Sequence, residues 1–106
     1  MIAQLVQFES ALTEDEVTAV SQERKPAYEA QPGLIQKFYM KLDGENRYGG
    51  FMIWESAAAL AAFRGSELAR TIGTAYRVVG TPDVTISEVM FPLHETADFR
   101  VAETVG

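Results

Sequence analysis

Two strand-like runs, Leu34 to Leu42 and Arg47 to Glu55, flank the tetrapeptide Asp43-Gly44-Glu45-Asn46, a composition that suits a tight hairpin connection. Pairing Leu42 with Arg47 puts Leu34, Phe38, Met40, Phe51 and Ile53 on one face. The other face carries Ile35, Tyr39, Tyr48, Met52 and Trp54. Both faces are largely apolar, so the hairpin must be covered on two sides, by helices on one and by something else on the other.

The flanking segments supply the helices. Ile2 to Phe8 alternates as a strand, with Ile2, Val6 and Phe8 on one side and Ala3 and Leu5 on the other. Thr13 and Glu16 form a capping-box signature. Val17, Val20, Ala27 and Tyr28 then recur at helical spacing, with Pro26 expected to kink or restart the helix before Pro32-Gly33 ends it. After the hairpin, Ser56 caps a helix through Leu60 and Phe63. Gly65 stops it, and Ser66 caps a second segment carrying Leu68, Ile72 and Tyr76. Gly80-Thr81-Pro82-Asp83 reads as a turn, and Val84 to Phe91 as a fourth strand. The order strand, helix, strand, strand, helix, strand is that of an α+β, ferredoxin-like βαββαβ fold with a four-stranded antiparallel sheet, expected as a single domain over residues 1–106. Helices on one face only leave the other sheet face for a second copy, so a homodimer with sheets packed face to face is expected.

Composition excludes several functions. The chain has no cysteine and one histidine, which removes disulfides, thiolate nucleophiles and His-rich metal sites. A net charge of -6 is the wrong sign for binding phosphate polymers, so no nucleic-acid partner is expected. The longest apolar run, Ala57 to Phe63, is far below the roughly 20 residues of a membrane span. The strand-like start lacks the features of a signal peptide, so a cytoplasmic protein is expected, with no membrane partner. Glu14, Asp15 and Glu16 fall in the first helical turn, where they complement the helix dipole without a metal. No phosphate-binding loop, dinucleotide fingerprint or nucleophile elbow is present.

The run Gln31-Pro32-Gly33-Leu34-Ile35-Gln36-Lys37-Phe38-Tyr39, then Tyr48-Gly49-Gly50-Phe51-Met52-Ile53-Trp54-Glu55-Ser56 and Ala59-Leu60, resembles the dimeric α/β-barrel, antibiotic-biosynthesis monooxygenase-like superfamily. Within it the sequence is most similar to the YdhR-type monooxygenase-like proteins, and Lys25-Pro26 adds to that likeness. The resemblance implies a ferredoxin-like protomer, a dimeric barrel and an apolar pocket between sheet and helices. It also implies oxidation of hydroquinones or anthrones by dioxygen without flavin, haem or metal; other relatives degrade haem, isomerise lactones or have no known substrate. Two departures stand out. The haem degraders use a histidine in the second helical region and an asparagine on the first strand, whereas residues 56–77 hold no histidine and strand one offers Gln4 and Gln7. Phe63 stands where quinol-oxidising relatives often carry histidine.

Cofactor-free oxygenation needs a planar, electron-rich substrate, help in removing its proton, and exclusion of water. The candidate walls are Met52, Trp54, Phe63 and Tyr76, with Gly50 opposite Tyr39; the same aromatics would equally serve as plain core. The candidate catalytic groups are Lys37, Tyr39 and His94. Lys37 shares the face of Tyr39 and stands out as the one cation near the pocket; the competing reading is an edge-strand lysine that snorkels to water, as Lys41 would. His94, with an unperturbed pKa of about 6.5 for its residue type, would act as a base if the tail folded over the pocket. The alternative to an oxygenase is a non-catalytic small-molecule-binding or stress-response module on the same dimeric fold.

Overall fold

A computed structural model describes residues 1–94. The strands are β1 (Ile2–Ser10), β2 (Leu34–Lys41), β3 (Arg47–Trp54) and β4 (Val78–Glu88). Helix α1 (Glu14–Glu29) links β1 to β2; α2 (Ala57–Arg64), α3 (Glu67–Arg70) and α4 (Ile72–Ala75) link β3 to β4. All pairings are antiparallel in the order β2-β3-β1-β4, the ferredoxin-like arrangement. Among the described residues no helix is long and apolar enough to cross a membrane.

Local chemistry sets the helix ends. The Thr13 hydroxyl accepts from the Glu16 amide at 3.2 Å while Glu16 Oε1 accepts from the Thr13 amide at 3.0 Å, closing the capping box. Those hydrogen bonds hold the Glu16 carboxyl below its usual pKa. Ser56 and Ser66 accept from Ala59 and Ala69 in the same way. Helix α1 runs unbroken through Pro26 to Glu29, where a kink or restart was expected. Its final turn still closes, the Ala30 amide donating to the Pro26 carbonyl, because proline removes a donor but keeps its acceptor. The segment after Gly65 divides into two four-residue helices.

The hairpin register is the expected one, with Lys41 against Tyr48 and Tyr39 against Gly50, and the Leu42 amide donating to the Arg47 carbonyl. Gly44 and Asn46 take positive φ in the connection. Leu34 departs from its expected face. A bulge between Leu34 and Gln36 turns Leu34 onto the helix side, where it packs against the Trp54 cluster. The fourth strand departs as well: it starts at Val78 and ends at Glu88, with the Gly80 to Asp83 cluster inside it. Gln7 pairs with Asp83 but Glu9 with Val79, so the extra residues form a bulge where a turn was expected. An edge strand tolerates this, because Gly80 takes φ 73° without strain and Pro82 owes no amide to a neighbour.

The core lies between helices and sheet as two clusters. Phe8, Leu12, Val17, Tyr48 and Tyr76 form one; Tyr28, Met52, Trp54, Leu60 and Phe63 form the other; Val6 and Ile72 pack against both. On the opposite sheet face Phe38 and Phe51 stack with ring centroids 6.4 Å apart, and Phe38 is 48% exposed.

Candidate active site

The seam between the two clusters is open. A cavity with about 470 Å³ of free space, part of it continuous with solvent, is lined by Phe8 and Tyr48 on one side, Tyr28 and Met52 on the other, and Tyr76 and Ser21 above. The enclosed part is narrow, a slot between the rings. Glycine explains where it opens. Gly50 sits on the helix side of β3 between Val6 and Tyr39, and an added Cβ there would lie 3.5 Å from Lys37 Nζ. At Gly49 the opposite holds: a Cβ would come within 2.7 Å of the Val6 carbonyl oxygen, so close backbone approach requires glycine.

Lys37 points into this seam. Its Nζ stands 3.7 Å from the centroid of the Tyr28 ring and 4.8 Å from that of Tyr39. Burial, reinforced by the positive charge of Arg24, lowers its pKa to about 8. The edge-strand reading thus fits Lys41, which lies in the open and pairs with Glu14 at 2.6 Å, and does not fit Lys37. Tyr39 lines the slot and both grooves beside it, one toward Glu14 and Lys25 and one toward Glu29 and Gln36. Burial first, then the neighbouring Tyr76, Tyr28 and Glu29, push the Tyr39 hydroxyl up to about 12, so it stays a proton donor. Burial also raises Tyr28 and Tyr76, with Arg24 opposing in both cases. The Tyr76 hydroxyl and Ser21 Oγ share a hydrogen bond of 2.9 Å.

Of the expected walls, Met52 and Tyr76 line the slot. Trp54 and Phe63 lie behind it: Trp54 is fully buried, their rings are 4.9 Å apart, and Trp54 Nε1 donates to Gln4 Oε1 at 3.1 Å. They are core, because β3 runs under α2 at that end of the sheet and leaves no gap between them. His94 is exposed, beyond β4, and does not line the slot. Sequence reading missed Arg24, Tyr28, Ser21 and Tyr48 as site residues. Arg24 corrects the expectation that Lys37 stands as the one cation there. It reaches across from α1 to donate to the Leu68 carbonyl at 2.7 Å and Thr71 Oγ1 at 3.2 Å, with its Nε buried and unpartnered. The helical periodicity that placed Tyr28 inside was the available signal; with Arg24 and Ser21 one and two turns earlier, it marks a polar stripe on an otherwise buried face.

A ferredoxin-like protomer with an aromatic slot between sheet and helices is the class of protein that fold and site define. No family model matches the chain, and no curated protein matches it significantly. Solved structures do match in fold, and three of them carry the antibiotic biosynthesis monooxygenase description. A protein of unknown function from Nitrosomonas europaea is 18% identical, with TM-score 0.73 over 91% of this chain and 95% of that one. SnoaB, a cofactor-independent oxygenase from Streptomyces nogalater, is 18% identical, with TM-score 0.71 over 89% and 97%. The haem degrader MhuD from Mycobacterium tuberculosis is 22% identical, with TM-score 0.70 over 89% and 100%. The fold is therefore the one these structures share, and it hosts more than one chemistry, a cofactor-independent oxygenase and a haem degrader among them. Helices α2, α3 and α4 contain no histidine, and Gln4 of β1 is committed to Trp54.

Proposed function

We propose that the protein is a cofactor-independent monooxygenase acting on a small phenolic, quinol-like or polycyclic aromatic compound, most similar in kind to the YdhR-type proteins. The observation that carries this reading is the narrow, aromatic-lined slot with one inward lysine of lowered basicity and no carboxylate among its lining residues. Aromatic walls stack on a planar, electron-rich ring. The fraction of Lys37 that is neutral near pH 7, about one part in ten for a pKa of about 8, accepts the acidic proton of the bound substrate. Lys37 then holds that proton beside the resulting anion, and the protonated Tyr39 hydroxyl donates to the ring oxygen.

With an anthrone, the carbanion passes one electron to dioxygen, and the radical pair recombines to a hydroperoxide that takes the proton back from Lys37. Loss of water then leaves the quinone, so substrate and dioxygen give quinone and water. Met52 and Tyr76 face the ring and exclude bulk water. Dioxygen uptake by metal-stripped protein challenged with hydroquinones, anthrones and catechols tests the reading. Uptake above autoxidation that is lost in Lys37→Ala supports it, and a flat trace across the panel counts against it.

A second reading, a non-catalytic small-molecule-binding module on the same fold, is favoured by one specific fact: His94 lies away from the slot, leaving Lys37 without a second conventional acid-base partner. Saturable binding without oxygen consumption would select it. In either reading we take the functional unit to be a homodimer, because the Phe38–Phe51 stack, with Leu5 and Met40 beside it, leaves an apolar sheet face in water.

A further inference from the structure

A lysine drawn off the sheet edge into an aromatic seam has chemistry beyond proton transfer. Lys37 Nζ lies over two ring faces and no carboxylate lines the slot itself, Glu29 sharing only the outer groove with it. The titratable groups around it are Arg24, Lys25, Tyr28 and Glu29 from α1, Tyr39 beside it on β2, Tyr48 on β3, and Tyr76 ahead of β4. Arg24 adds like charge, and the hydroxyls of Tyr28, Tyr39 and Tyr76 are all held protonated. Beside the amine, the missing side chain of Gly50 leaves space within 3.5 Å. A desolvated lysine next to a second cation is the arrangement that makes an amine nucleophilic toward carbonyl carbon.

We propose that Lys37 is a carbonyl-capturing amine, forming a reversible imine with planar aromatic aldehydes or ketones that enter the slot. The Nζ lone pair attacks the carbonyl carbon, forming the C–N bond as the C=O π pair moves to oxygen. Proton transfer from nitrogen gives the carbinolamine, whose oxygen takes a further proton and leaves as water. The product is a protonated C=N bond, and no oxidant or reductant is consumed. A tyrosine hydroxyl of the slot supplies the proton that water carries away. The iminium is cationic, so it keeps the attraction to the Tyr28 and Tyr39 ring faces that the free amine gives up. This inference rests on the same slot and lysine as the oxygenase reading, and on none of its oxygen chemistry.

The test is trapping with benzaldehyde and cyanoborohydride on the folded 106-residue chain, followed by peptide mapping. At pH 7.5 an amine of pKa about 8 is roughly two hundredfold more neutral than an ordinary lysine, and its lower intrinsic nucleophilicity leaves an expected excess on the order of tenfold. Lys37 should therefore be benzylated about tenfold faster than the exposed Lys25 and Lys41, with a rate that levels off above about pH 8. The excess should vanish in urea, where the slot no longer exists. Labelling of Lys37 no faster than Lys25 and Lys41, or equal selectivity in folded and unfolded protein, overturns the proposal. Dioxygen uptake is read separately: trapping with a flat oxygen trace sinks only the oxygenase reading, and uptake without trapping sinks only this one.

Discussion

Replacing Lys37 with methionine should stabilise the protein at neutral pH, and the gain should shrink as pH rises. Burial and Arg24 lower the lysine from 10.5 to about 8. At about 1.36 kcal/mol per pKa unit, the folded state disfavours the ammonium by roughly 3 kcal/mol relative to the unfolded chain. The sign follows from proton counts. Between about pH 8 and 10.5 the unfolded chain binds more protons at this site, so wild-type stability rises with pH across that window; below about 8 the full penalty is present. At pH 9.5 about 1.4 kcal/mol of the penalty remains. Methionine is of similar length and does not titrate, though it gives up cation–π attraction worth about 1 kcal/mol. The stability difference between variant and wild type, measured by urea unfolding, should therefore fall by about 2 kcal/mol between pH 7 and pH 9.5. At pH 9.5 ordinary unfolded-state tyrosines are only about a quarter ionised, and both chains share that titration, so it cancels in the difference. Parallel stability profiles for the two proteins would refute a buried, weakly basic Lys37.

Tyr39→Phe should lower turnover without changing unfolding or oligomeric state; unchanged turnover would remove the hydroxyl from the mechanism. If the Lys37 amine is the base, kcat/KM should climb with pH and level off above about 8, whereas a flat profile would assign the proton to another acceptor. Gly49→Ala should cost about 1–3 kcal/mol, because its Cβ meets the Val6 carbonyl at 2.7 Å. Gly50→Ala meets Lys37 Nζ at an ordinary 3.5 Å, so thermal unfolding should barely move while aromatic-ligand affinity falls; a large loss of stability would show the slot to be closed in solution. Phe51→Glu should convert a dimer to monomer in sedimentation, and unchanged mass would place the interface elsewhere.

Much of the fold could be read from local chemistry. The Thr13/Glu16 box, the Ser56 and Ser66 caps and the hairpin register all depend on residues close together in the chain, and each behaves as its own chemistry demands. The errors fall where the sheet intervenes. Gly80-Thr81-Pro82-Asp83 has the composition of a turn, but β1 supplies a partner on both sides of it, so it becomes a bulge within β4. Leu34 changes faces for the same kind of reason, since strand alternation cannot foresee an inserted residue.

The site divides along the same line. Sequence alone determined that Lys37 and Tyr39 share a strand face opposite Gly50, because period-two alternation and a short connection fix register. Whether that face held a packed core or a space, and whether Lys37 turned inward or out to water, depended on distances across the molecule. Tertiary structure packed Trp54 against Phe63 as core and left the gap four residues back along β3, at Gly50. It also brought Arg24 near Lys37 from α1, anchoring it on Leu68 and Thr71, more than forty residues away in sequence. Desolvation and charge coupling act through space, so the property that gives Lys37 its chemistry is absent from the chain until the helices close over the sheet.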